Sequence, residues 1–76
     1  MMVSDTVMYE INFSFNGDKR IREVPQLPRV GDVIDLDDGE NGRVVLRVDL
    51  LVHRQDGSQW HWHCNCTEMK NWRETL

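Results

Sequence analysis

Two stretches decide the fold: RVVLRVDLLVHR, residues 43–54, and QWHWHCNCT, residues 59–67. Every second residue of each stretch is apolar or aromatic, which predicts a β-strand with one buried face. In the first stretch these residues are Val44, Leu46, Val48, Leu50 and Val52, and in the second they are Trp60, Trp62, Cys64 and Cys66. Because the polar residues 55–58 with Gly57 lie between the stretches, the sequence predicts a hairpin.

The register of this hairpin follows from the length of its loop. A three-residue loop that ends at Gly57 pairs Arg54 with Ser58 and places Val52 opposite Trp60. The same register continues with Leu50 opposite Trp62, Val48 opposite Cys64 and Leu46 opposite Cys66. A two-residue loop is the alternative, and it places His61 opposite Val52. We expect the first register, because aliphatic residues then face aromatic ones across the strands.

The N-terminal half predicts a second hairpin and a short third strand. Odd positions of residues 7–15 are apolar, Asn16-Gly17 is a turn signal, and residues 19–24 form a charged return strand. A three-residue loop places Ile21 opposite Ile11 on the apolar face, whereas a two-residue loop places it opposite Asn12. We expect the first. Two prolines in residues 25–28 end the ladder, a strand follows at 33–36, and residues 37–42 form a polar loop.

The segment Leu27-Pro28-Arg29-Val30-Gly31-Asp32-Val33-Ile34-Asp35-Leu36 resembles the lead-in to a strand in many SH3-like barrels. The five strands, read as a meander, predict an all-β fold, namely a small five-stranded antiparallel barrel, and the resemblance implies that this barrel is SH3-like. The peptide-binding aromatic residues of SH3 domains have no matching motif here, so the resemblance does not imply a proline-rich ligand. Met69, Trp72 and Leu76 have helical spacing, which predicts a short C-terminal helical turn that closes one end of the barrel.

Length and charge limit the classes of function. The 76 residues suit a single domain, residues 1–76, and the formal charge is −4. Residues 1–42 contain nine acidic and four basic residues, whereas residues 43–76 contain four and five. An acidic chain is poorly suited to nucleic acid or anionic membrane, and no apolar run is long enough to span a bilayer. Two cysteines make no disulfide framework, so we expect a cytoplasmic protein.

The segment 60–66 contains the residues with the most reactive side chains. Cys64 and Cys66 face one side of the predicted strand, while His61 and His63 face the other, so these four residues cannot surround one zinc ion. We interpret the cysteines as reduced, buried thiols. The predicted register places Asp49 opposite His63 and brings His53 diagonally to His61. These four residues therefore form either a solvated polar face, which we favour, or a metal- or proton-responsive site.

Two surfaces are candidate binding sites. The outer face of the hairpin carries the residues Val45, Asp49, Leu51, His53, His61 and His63. The acidic loop carries Asp35, Asp37, Asp38 and Glu40. Apolar residues that point outward, together with unpaired strand edges, indicate a partner. A solubilising role is the alternative interpretation of the acidic loop, which lacks the spacing of a calcium site.

No catalytic motif is present in the sequence, and we expect neither enzymatic activity nor a cofactor. The leading hypothesis is a non-catalytic interaction module that associates with itself, as a homo-oligomer, or with another protein through the 43–67 hairpin. A small accessory or inhibitor protein of the kind that phages encode fits this size and acidity. A metal- or pH-responsive module and a single-stranded nucleic-acid-binding barrel are the alternatives, the latter disfavoured by the charge.

Overall fold

The computed structural model describes residues 7–70 as a curled five-stranded sheet, a half-barrel. The strands are β1 (Tyr9–Phe15), β2 (Asp18–Val24), β3 (Val33–Asp37), β4 (Arg43–Asp56) and β5 (Gln59–Glu68), with a 3-10 turn at Gly39–Asn41. All five predicted strands are therefore confirmed. None of the described residues belongs to a helix long and apolar enough to cross a membrane.

The predicted antiparallel meander is wrong. The strand order is β2-β1-β5-β4-β3, and β1 pairs with β5 in parallel through residues 11–14 and 62–65. The other neighbouring strands are antiparallel, so the sheet is mixed. β2 and β3 lie at opposite edges of the sheet, and residues 25–32 connect them. Because Pro25 and Pro28 lack a backbone N–H, this connection cannot extend the β2 ladder.

The inner face of the sheet holds the core, which is small. Phe13, Ile11, Leu46, Val48 and Cys64 are its fully buried side chains. Leu27 of the connection between β2 and β3 packs against this core, as do Leu51 and Trp62 of the long hairpin. We use "outer face" for the opposite side of the sheet.

The first hairpin has the register that we rejected from the sequence. Phe15 pairs with Asp18 and Asn12 with Ile21, so the loop contains only Asn16 and Gly17. Both loop residues have positive φ, 53° and 81°, as a type I′ turn requires. This turn matches the twist of the strands, and it leaves the Ile21 side chain 56% exposed on the outer face. Turn geometry therefore outweighs the burial of one isoleucine.

The second hairpin also differs from its predicted register. Asp56 pairs with Gln59 around the loop Gly57-Ser58, and the ladder shifts by one residue between Val48 and Leu50. This shift is a β-bulge, which reverses the faces of β4 beyond it. Val44, Leu46 and Val48 point into the core as predicted, but Leu50 and Val52 are exposed and Leu51 packs on the core instead.

Two arginines of β2 connect the two edge strands of the sheet. Nε of Arg20 donates to Oδ1 of Asp38 at 2.7 Å, and Nη2 of Arg22 lies 3.7 Å from the same oxygen. Arg22 Nη2 also donates to the backbone oxygen of Asp37 at 3.2 Å. We call Arg20, Arg22 and Asp38 the clasp. It joins β2 at one edge to the end of β3 at the other, so it stabilises the curl.

The predicted C-terminal helical turn lies mostly outside the described residues, which end at Lys70. Inside them, Glu68 is the last residue of β5, and Met69 donates its backbone N–H to the Val45 oxygen at 2.8 Å. The 3-10 turn at Gly39–Asn41 is the one helical element of residues 7–70.

Candidate functional site

The acidic loop is mostly engaged within the chain. Asp38 belongs to the clasp, Asp35 accepts a hydrogen bond from Arg43 Nε at 2.9 Å, and Asp37 accepts one from the Gly39 N–H at 3.0 Å. The Arg20 guanidinium lowers the pKa of Asp38, since the hydrogen bond favours the charged carboxylate. Glu40, in the 3-10 turn, remains exposed. Ion pairs thus use two of the four carboxylates, Asp38 and Asp35, whereas Asp37 and Glu40 form no ion pair within residues 7–70.

The structure does not bring together the four residues of the predicted metal or proton site. His61 and His63 share the outer face, with ring centroids 6.4 Å apart. Because the bulge reverses the faces of β4, His53 lies on the inner side, opposite Trp62. Asp49 lies at the bulge and accepts hydrogen bonds from Thr67 Oγ1 and Arg47 Nε. These two bonds lower its pKa. Within residues 7–70, no three His, Cys, Asp or Glu side chains converge as a metal site would require.

Neither of the two apolar residues predicted to be exposed on the outer face of the hairpin is exposed there. Val45 is only 5% exposed, so it offers no binding surface in the described chain. Leu51 packs against the core opposite Cys64. The prediction failed for Leu51 because strict alternation was extended through the bulge at Asp49.

Both cysteines are free thiols, and neither is set up for nucleophilic chemistry. Cys64 is fully buried, and Cys66 donates a weak hydrogen bond from Sγ to the Cys64 oxygen at 3.6 Å. Burial raises the pKa of Cys66 to about 12 and also raises that of Cys64. At neutral pH the reactive thiolate of Cys66 is therefore scarce.

Three rings form an aromatic stack on the inner side of the hairpin tip. His53 stacks on Trp62 with ring centroids 3.8 Å apart and an interplanar angle of 4°. The ring centroid of Trp60 lies 4.7 Å from that of His53, and the two rings are tilted by 41°. Trp62 also contacts the core, whereas Trp60 is 56% exposed. The sequence analysis missed this stack because it assigned Trp60 to the core opposite Val52.

The distal part of β4 has an unpaired edge. β3 pairs with β4 only at residues 43–47, and Val48 exchanges backbone hydrogen bonds with Gly31 and Asp32. From residue 49 to residue 56, β4 has β5 on one side and no backbone partner from residues 7–70 on the other. We call this side of residues 49–56 the free edge. At about 3.4 Å per residue it extends over roughly 27 Å.

The free edge carries apolar side chains as well as open backbone groups. Leu50 and Val52 point to the outer face, where they are 49% and 36% exposed. Residues 49–56 contain no proline and no lysine, the residues that commonly protect an edge strand from pairing with another chain. The edge therefore has the features of a surface that accepts another strand.

A shallow pocket lies on the outer face beside this hairpin. Its volume is about 270 Å³, and its lining residues are Asn12, Arg54, Asp56, His61 and His63. We call it the outer pocket. Asn12 of β1, one of these lining residues, donates from Nδ2 to the Trp62 oxygen at 3.2 Å, which fixes the orientation of its amide. The two histidines were candidates from the sequence, but Arg54 and Asp56 were not, because the predicted register placed Arg54 on the core face and Asp56 in the loop.

Comparison of the chain with known protein families, with curated proteins and with solved structures finds no match to any of them.

Proposed function

We propose that the protein is a non-catalytic interaction module that associates with a second copy of itself through the free edge of β4. The observation that carries this proposal is the unpaired edge of residues 49–56 with Leu50 and Val52 exposed beside it. Open backbone N–H and C=O groups in a row are a template for another strand.

The sequence of the edge is self-complementary. Two copies pair antiparallel when a two-fold axis passes between their β4 edges. If the axis lies at Leu51, Leu50 of each copy faces Val52 of the other, and the two Leu51 residues face each other. Apolar cross-strand pairs of this kind each contribute about 0.2–1 kcal/mol beyond the backbone hydrogen bonds. The result is a continuous ten-stranded sheet with the two cores on the same side.

A charge on the edge tests the proposal. We expect Val52→Lys to weaken the dimer by tenfold or more, because a lysine on an edge strand opposes pairing. Val30→Lys is the matched control, since Val30 is also exposed but lies in the turn before β3. Sedimentation velocity at several concentrations measures both. Equal dissociation constants for the two variants would contradict the assignment of the interface to β4.

If the chain is strictly monomeric, the proposal becomes that a different protein pairs with the same edge of β4. An accessory or inhibitory role, of the kind that small phage proteins have, belongs to that case and is supported only by the size and acidity of the chain. A monomer that also shows no partner would overturn the interaction module as a whole. The relation to SH3-like barrels remains a prediction from residues 27–36, and it adds no function.

Single-stranded nucleic acid is a second candidate, favoured by the exposed Trp60 in the aromatic stack. Bases stack on exposed aromatic rings, but the phosphates need lysine or arginine nearby. The residues that share the face of this stack at the hairpin tip include no lysine or arginine; they are Leu51, His53 and Gln55 of β4 and Trp60, Trp62 and Cys64 of β5. We therefore rank this candidate below a protein partner. Quenching of tryptophan fluorescence by oligothymidine, lost in Trp60→Ala and in high salt, would reverse the ranking.

A further inference from the structure

Arg54 differs from most arginines of the described chain because it lacks an acidic partner. Arg20, Arg22, Arg43 and Arg47 each lie 2.7–3.7 Å from an aspartate oxygen. Arg54 makes no such ion pair within residues 7–70, although Asp56 lines the same pocket. Its guanidinium is thus available to a ligand, and a guanidinium binds planar or tetrahedral oxyanions with two parallel hydrogen bonds.

Two imidazoles lie beside this guanidinium. His61 pairs with Arg54 across the hairpin, and His63 is the next residue on the same face. His63 lies next to Asn12 on β1. When protonated, an imidazole offers two N–H donors and a positive charge. The pocket therefore combines one permanent cation with two imidazoles that carry a positive charge only when they are protonated.

The surrounding charges on every neighbouring strand determine when the pocket attracts an anion. On the part of the outer face formed by β1, β2 and the hairpin beyond the bulge, the charged or titratable residues are Glu10 of β1, Lys19 and Glu23 of β2, Arg54 and Asp56 of β4, and His61 and His63 of β5. With neutral imidazoles, Asp56 offsets Arg54. Burial lowers the pKa of His63, and the charges of Lys19, Arg54 and His61 lower it further. The positive charges that line the pocket thus repel one another.

We propose that the outer pocket is a pH-gated binding site for a small oxyanion, held by Arg54 together with protonated His61 and His63. This site goes beyond the proposed self-association and does not depend on it. The pocket is shallow and has a volume of about 270 Å³, which is large enough for a single phosphate-like or carboxylate group beside Arg54.

The direction of the pH dependence follows from linkage. A bound anion favours the charged imidazole, so it raises the pKa of His63. By reciprocity, protonation of the histidines raises the affinity for the anion by the same factor. Binding therefore strengthens as the pH falls through the range in which histidine titrates.

The test is a titration with two probes, sulfate for the tetrahedral class and formate for the carboxylate class. Neither probe changes its charge between about pH 5.5 and 7.5, the range in which histidine does. Sodium chloride keeps the ionic strength constant, and the imidazole C–H resonances of His61, His63 and His53 report binding in NMR spectra. We expect saturable shifts at His61 and His63 with one or both probes, at least about tenfold tighter at the lower pH. His53 on the other face serves as the internal control.

Variants decide whether the pocket binds the anion. We expect Arg54→Gln to weaken binding by about tenfold or more, because it removes charge-assisted hydrogen bonds. Arg29→Gln is the matched control, since Arg29 also makes no ion pair within the described residues but lies in the connection before β3. Asp56→Asn should tighten binding, because it removes a negative charge from the lining. Shifts that chloride reproduces, or that Arg29→Gln reduces as much as Arg54→Gln, would overturn the site.

Discussion

The bulge in β4 determines which of two adjacent leucines, Leu50 or Leu51, faces the core, and strict alternation of the strand would give the opposite assignment. Beyond the bulge, Leu51 packs on the core and Leu50 is 49% exposed, whereas the even-position pattern places Leu50 inside. We therefore expect Leu51→Ala to destabilise the fold more than Leu50→Ala. The chemical change is the same in both variants, so the difference reports the face on which each side chain lies.

The size of the difference follows from burial. Leucine to alanine removes three carbon groups, which are worth about 0.8 kcal/mol each when buried, or about 2.4 kcal/mol together. Leu51 should lose most of this amount and a further cavity term, for a total of about 2–3 kcal/mol. Leu50, half exposed, should lose about 1 kcal/mol. In a domain of this size each kcal/mol lowers Tm by about 4–8 °C.

Urea unfolding and thermal melting measure both variants. The protein must be dilute enough to be monomeric, because Leu50 also lies at the proposed interface. Val48→Ala and Val52→Ala form a second matched pair, with Val48 fully buried and Val52 36% exposed. A larger loss for Leu50→Ala than for Leu51→Ala would refute the bulge and restore uninterrupted alternation.

The remaining predictions concern the clasp, the thiols and the first turn. Because the folded state lowers the pKa of Asp38, its pairing with Arg20 stabilises the fold at pH values above the unfolded pKa of about 3.9. This contribution disappears as the pH falls through the pKa of the folded state. Urea unfolding at several pH values should therefore show that the free energy of unfolding of Asp38→Asn depends less on acid than that of the unchanged protein. With a pKa of about 12, Cys66 should react with maleimide more slowly than an unfolded thiol, and a rate equal to that in urea would contradict its burial. Gly17→Ala should cost about 1–2 kcal/mol in the same unfolding assay, because φ at this position is +81°, and an unchanged midpoint would argue against the type I′ turn.

The five strands were predictable because each is a local pattern. Alternation over residues 7–15 and 43–54, with glycine-containing turns between runs, is visible within a window of ten residues. The observed boundaries differ by at most two residues, as with β1, which starts at Tyr9, and β4, which ends at Asp56.

Register and topology were not predictable in the same way. Between Val44 and Val52 every even position is apolar, and the odd positions 45 and 51 are apolar as well. The sequence is therefore compatible with a bulge at Asp49, after which the odd positions face the core. The choice of loop length assumed that Ile21 is buried, and it is not. The parallel pairing of β1 with β5 joins residues about fifty positions apart, and local patterns carry no information about such pairs.

The candidate site shows the same division. His61 and His63 were candidate binding residues from the sequence, and both line the outer pocket. Arg54 and Asp56 join them only because Arg54 pairs with His61 and Asp56 with Gln59. Conversely, the acidic loop is prominent in the sequence, but two of its four carboxylates form ion pairs within the chain, Asp38 in the clasp and Asp35 with Arg43.

The most direct test of the central proposal is amide hydrogen exchange as a function of protein concentration. Alternate residues of the free edge point their N–H groups away from β5, where a second copy would accept them. With the two-fold axis at Leu51, residues 49–53 of the two copies pair, and we predict that the outward-pointing amides among them become protected as the concentration rises. Amides of residues 44–48, which already have partners on this side, should not change. The sedimenting mass should double from 9.0 kDa over the same range. Exchange that is independent of concentration along the whole of β4, with a mass that stays at 9.0 kDa, would contradict self-association through this edge.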